Sequence, residues 1–265
     1  MERYAIKPWE ELTIRDDYMF KLIMRRKRIC KKLLERTLRM KIREIRYLET
    51  EKSMKSQYGR KGIRLDVYVR DEKETVYNIE MQVRRLEGDA LFKRTRYYQS
   101  MMDTDLMAAG ADYDSLNQTI IIFICPFDPF DAGRYIYTFE NLCIEDHGIR
   151  LRDGSRKIFL NTKGRIGEID ASIKAFLHYV DGVISSDQFV QEIHKEIQKV
   201  KMIEAEAVSY MTFEMKIKEE RQEERKEARL EALKKLITKL RISAEQAMDL
   251  LDIPQSDRHL YKSLL

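Results

Sequence analysis

The stretch from Gly62 to Val83, GIRLDVYVRDEKETVYNIEMQV, admits few folds. Ile63, Leu65, Val67 and Val69 alternate with polar residues before a charged loop, and Ile79, Met81 and Val83 alternate after it. That period belongs to two antiparallel strands joined as a hairpin. Strand side chains point to opposite faces in turn, so Arg64, Asp66 and Tyr68 share a face with Asn78, Glu80 and Gln82. A loop centred near Lys73 brings Asp66 almost opposite Glu80. Two carboxylates at cross-strand distance repel, and the pair is destabilising unless a cation, a proton or water relieves it. Magnesium is such a cation. The alternative is a solvated polar face, common in a chain that is 36% charged.

Around the hairpin the pattern alternates between helix and strand. From Glu10 to about Arg46, Phe20, Ile23, Met24, Leu33, Leu34, Leu38 and Ile42 recur at helical spacing, with Asp16 and Asp17 where a helix start favours anions. The basic residues of this segment, Arg25 and Arg26 among them, are candidate phosphate contacts or a solubilising face. A polar stretch from Glu51 to Lys61, with glycines at Gly59 and Gly62, leads into the hairpin. After it, Asp89 to about Ala109 reads as a helix, and TIIIFIC, Thr119 to Cys125, as a strand buried on both faces. Strand, helix, buried strand is a crossover unit, so a parallel pair is expected at the sheet centre. From Gly133 to Thr162 the text is β-like, with Asp153-Gly154 as a hairpin turn signal. Glu168 to Tyr179 closes the domain as a helix.

Three segments are expected: a globular domain over 1–186, a charged helical extension over 187–240, and a short terminal helical motif over 241–265. Within the extension, Val190, Ile193, Ile197 and Val200 form an apolar stripe that has to be buried, which argues that the first turns after Asp187 belong to the domain. Glu and Arg or Lys follow at three- and four-residue spacing, and an apolar seam is weak across Glu219 to Arg229, so the extension is a candidate rather than a clear coiled coil for a homo-oligomer. At the end, a Ser243 cap and a Pro254 break frame two short helices, read as a packing cap in preference to a reader of base edges.

With 43% apolar residues the chain can build a core, and a net charge of +5 hints at a polyanionic partner. Three cysteines without a Cys-x-x-Cys spacing suggest neither disulfides nor zinc, and Cys143 with His147 lacks further ligands. The longest apolar run, Ile120 to Cys125, is too short for a bilayer, and the first residues lack a secretory core. A soluble cytoplasmic protein without a membrane partner is the expectation.

The order Asp66, strand, loop, strand, Glu80-Met81-Gln82 resembles the core of the PD-(D/E)xK nuclease superfamily, in its branch of Rpn-type recombination-promoting nucleases and transposases. DDYMFK (Asp16 to Lys21), FKRTRYYQSM (Phe92 to Met101), YMTFEMK (Tyr210 to Lys216) and the charged tail also resemble that branch, strongly in the first half and loosely after about Asp128. The resemblance implies an α/β, restriction-endonuclease-like mixed sheet flanked by helices, followed by a long charged α-helical tail. It implies a magnesium-dependent DNA endonuclease, with Mn2+ able to substitute and with links to recombination or mobile elements. Asp66, Glu80 and Gln82 would be catalytic; Asp66, Glu80, the Met81 carbonyl and Asp17 would hold metal; Arg94 and Tyr97 would contact nucleic acid, beside Arg25 and Arg26 of the basic segment as candidates from its charge. Gln82 stands where the superfamily usually has Lys, and an amide cannot supply positive charge. The competing class is a silent nuclease fold acting as a nucleic-acid-binding or oligomerisation module.

Overall fold

The computed structural model describes residues 7–54 and 61–265, so Gly59 and the first six residues lie outside the described part. Two short helices, α1 (Asp17–Met24) and α2 (Lys27–Leu38), open the chain. The helical pattern expected to continue to Arg46 stops earlier: Arg39 takes a left-handed conformation at φ +52°, and Ile45–Met54 is a strand, β1. β2 (Ile63–Asp71) and β3 (Val76–Met81) form the hairpin read from the sequence, with Val67 opposite Ile79 and Tyr68 opposite Asn78. Its turn is fastened by Asp71, whose Oδ1 accepts from the Lys73 and Thr75 amides and whose Oδ2 accepts from the Tyr77 hydroxyl at 2.7 Å.

Helix α3 (Ala90–Leu106) then crosses to β4 (Thr119–Cys125), which pairs parallel with β3 and is buried at every position. β5 (Ile136–Phe139) and β6 (Ser155–Asn161) complete the sheet in the order β1-β2-β3-β4-β6-β5. The parallel centre expected from the crossover is therefore present, in β3-β4 and again in β4-β6. Asp153-Gly154 does not make a hairpin turn. β5 and β6 are antiparallel, but residues 140–154 join them as a long excursion, and Gly154, at φ +72°, leads straight into β6 while its carbonyl accepts from the Thr119 amide.

Residues of α3 pack over Tyr68, Phe123 and Phe159 on the sheet. The other helices, α1, α2, α4 (Ala171–Val180) and α5 (Gln188–Lys201), pack against one another, and α1 and α2 also against β1. α4 and α5 are each capped by an aspartate, Asp170 and Asp187, that accepts two backbone amides. The stripe of α5 is buried, and its end is tied back where Trp9 Nε1 donates to the Lys201 carbonyl at 3.2 Å. Residues Lys7–Ile203 thus form one compact unit.

A second unit contains α6 (Glu204–Leu240), α7 (Ala244–Leu250) and α8 (Gln255–Lys262). The break at Met202 and Ile203 divides the expected extension into two helices. Ser243 caps α7 reciprocally with Gln246, and Ala247, Met248, Ile253 and Tyr261 close on Leu233 near the end of α6. No described helix is long and apolar enough to cross a membrane.

Candidate functional site

Register puts Asp66 opposite Glu80, and backbone amides bind the two carboxylates into one unit. The Asp66 N–H donates to Glu80 Oε1 at 3.1 Å, and the Met81 N–H donates to Asp66 Oδ2 at 3.2 Å. Glu80 is 4% exposed. Burial pushes its carboxyl well above the ordinary range, and the charge of Asp66 pushes it further, against opposing pulls from the Asp66 amide, Arg94 and Asn78. Asp66 is raised too, by burial and by Asp17, with Lys21 pulling it back. The cross-strand repulsion read from the hairpin is thus present, and burial with neighbouring negative charge pushes both carboxyls upward.

Helix α3 brings Arg94 to this pair. Its Nη2 lies 3.8 Å from Glu80 Oε2 and donates to Gln82 Oε1, while Gln82 Nε2 donates to the Arg84 carbonyl. Both ends of the Gln82 amide are therefore engaged, and what they orient is a guanidinium held over the rings of Tyr98 and Phe123. Arg94 Nε is buried with no hydrogen-bond partner among the described residues. A Lys at position 82 would face that guanidinium across a half-buried gap and would take away its acceptor, at a cost of about 1–3 kcal/mol. Gln82→Lys is accordingly expected to lower the melting temperature by on the order of 5 °C. Adding Arg94→Gln should restore it, and an unchanged melting curve for the single variant would contradict this geometry.

Asp17 reaches the site through another residue. Spaced one helical turn apart on α1, Asp17 and Lys21 pair at 2.6 Å, and Lys21 Nζ also lies 3.2 Å from Glu51 and 3.5 Å from Asp66 Oδ1. Burial pulls the Lys21 ammonium down, but Asp17, Asp66 and Glu51 together outweigh it and hold the group above its usual range. Neither Lys21 nor Glu51 stands out in the sequence as a site residue; the only signal was that Lys21 closes the DDYMFK block.

The remaining candidates bond to other residues. Tyr97 donates its hydroxyl to the Lys61 carbonyl. Arg25 donates to Thr50 on β1 at 2.9 Å. Arg26 is ion-paired with Glu196 at 2.7 Å, and its neighbours Arg28 and Lys32 both pair with Glu192, so this part of the basic segment is joined to α5.

Among the described residues no three His, Cys, Asp or Glu side chains close on a point with metal-ligand geometry. The donor set nevertheless suits a hard divalent ion, which binds through one or two carboxylates together with substrate phosphate oxygens. When ionised, the four carboxylates of Asp17, Glu51, Asp66 and Glu80 meet two cations, Lys21 and Arg94, and two negative charges stay uncompensated.

Comparison with known proteins adds one match. A family profile described as PD-(D/E)XK nuclease family transposase matches residues 14–237. No curated protein and no solved structure matches the chain. The matched span begins before the helix that carries Asp17 and Lys21, takes in the whole sheet and runs far into α6, and on that extent the chain belongs to the PD-(D/E)XK nuclease family of transposases.

Proposed function

We propose that the protein is a magnesium-dependent endonuclease that hydrolyses DNA phosphodiester bonds, in a recombination or mobile-element setting. The observation that carries this reading is the Asp66–Glu80 pair, Glu80 buried and Asp66 largely so, joined through the Asp66 and Met81 amides and short of positive charge. Asp66 and Glu80 supply the ligand oxygens. Met81 turns its N–H toward Asp66, and in an extended chain the carbonyl of the same residue points to the same side, where it adds a third oxygen. A divalent ion bound there would neutralise charge at the scissile phosphate and lower the pKa of water.

The chain's own groups do the rest. Gln82 holds Arg94 in place, and the part-exposed guanidinium beside Glu80 meets a phosphate oxygen; Tyr97, farther along the same helix, extends the contact to the nucleic-acid backbone. Asp17 acts through Lys21 in this reading. The test is supercoiled plasmid incubated with the protein in magnesium and in chelator. Nicking is expected in magnesium or manganese alone. DNA binding without nicking in either ion would select the silent-module reading instead.

A further inference from the structure

Lysine is almost never fully buried unless paired, and Lys21 is 4% exposed with its ammonium between carboxylates from α1, β1 and β2. Asp66 is the shared member of two groups: Oδ1 turns to Lys21, and Oδ2 to the Met81 amide beside Glu80. Glu51 lies opposite Asp66, since Thr50 pairs with Val67 and Lys52 with Leu65. It reaches Lys21 from a backbone at φ +62°, inside a strand, whereas the other non-glycine residues with positive φ sit in caps, turns and loops. Left-handed strain of this kind persists only where the surroundings impose it, and it clusters at functional sites.

We infer that Lys21 is a fixed cation of the Asp66–Glu80 site and holds the place between Asp17, Glu51 and Asp66 that a second divalent ion would take, so that the site works with one metal. The carboxylate oxygens stand 2.6, 3.2 and 3.5 Å from Nζ. Side-chain rotation over a short distance would bring them to the roughly 2.0–2.1 Å of octahedral oxygen coordination that magnesium demands. Two-metal sites place their ions about 3.5–4 Å apart, and Asp66, with one oxygen toward Lys21 and the other toward the Met81 amide, stands between the two places. The single-metal consequence rests on the metal-dependent reading above, while the placement of Lys21 is tested without cleavage.

Mn2+ is titrated calorimetrically into the full metal-free chain. Wild type is expected to bind one ion per chain and Lys21→Met two, with the added ion lost again in Lys21→Met/Glu51→Gln. Lys21→Arg should keep the wild-type stoichiometry. Equal uptake by wild type and Lys21→Met overturns the inference. If Lys21→Met fails to fold without metal, recovery of its circular dichroism on adding Mn2+ supports the inference, and a chain that stays unfolded in millimolar Mn2+ overturns it. Wild type that binds no Mn2+ would sink the metal-dependent function, whereas one ion gained by Lys21→Met would still place Lys21 as stated.

Discussion

Glu80→Gln is expected to remove magnesium-dependent cleavage, by on the order of 10³-fold or more, while raising the stability of the metal-free protein. The activity loss follows from the several kcal/mol of charge stabilisation that a ligated metal supplies. The stability gain follows from the electrostatics of the pair. Gln keeps a carbonyl oxygen to accept the Asp66 N–H, so that donor is not orphaned, and it ends the repulsion between buried Glu80 and part-buried Asp66. The pH dependence has a definite sign. A carboxyl whose folded pKa is raised binds its proton longer in the native state than in the unfolded chain, so stability falls as pH rises from about 4 through the raised values. Metal-free wild type should therefore melt several degrees lower at pH 8 than at pH 5, and Glu80→Gln should flatten that slope. Wild-type cleavage by Glu80→Gln, at matched circular dichroism, would remove Glu80 from the site. Asp66→Ala should lose cleavage equally.

A chain ending at Ser186 is expected not to fold, and one ending at Ile203 to fold and nick DNA. Phe189, Val190, Ile193, Ile197 and Val200 of α5 are each 2% exposed or less. At about 1.5–3 kcal/mol for each buried side chain, their removal costs on the order of 10 kcal/mol. That rivals the whole stability of an ordinary domain, about 5–15 kcal/mol. The ion pairs of Arg26, Arg28 and Lys32 with α5 would go as well. We propose the domain limit at Ile203 for this reason. Light scattering and limited proteolysis on both chains decide: two soluble, active products would refute the packed role of α5, and two insoluble ones would refute a separable tail.

How much could be read in advance depended on whether a signal was local. The hairpin and its register were legible because alternation and a turn fix each other within a few residues, and β4 because an uninterrupted apolar run between breakers has few other readings. β1 was not. As an outer strand it pairs on one side and carries IRYLETEKSM, a sequence whose charges read as helix or loop. Lys21 was missed because Asp and Lys four apart on a helix ordinarily form a solvated pair; what buries it comes from strands later in the chain. The ion pairs of the basic segment were hidden for the same reason, its partners being Glu192 and Glu196 far along the sequence.

Glu51 has a second consequence, at the rim of the sheet. β1 is a ten-residue outer strand, and a long straight outer strand offers its unpaired amides and carbonyls to any passing copy. The left-handed residue interrupts that row near its middle, the register slips between Ile45 and Tyr47, and Arg46, Glu49 and Lys52 add charge along it. The backbone irregularity that sends a carboxylate to Lys21 therefore also spoils the template for edge-to-edge aggregation, and a substitution that straightened β1 would leave the sheet open to addition of a foreign strand.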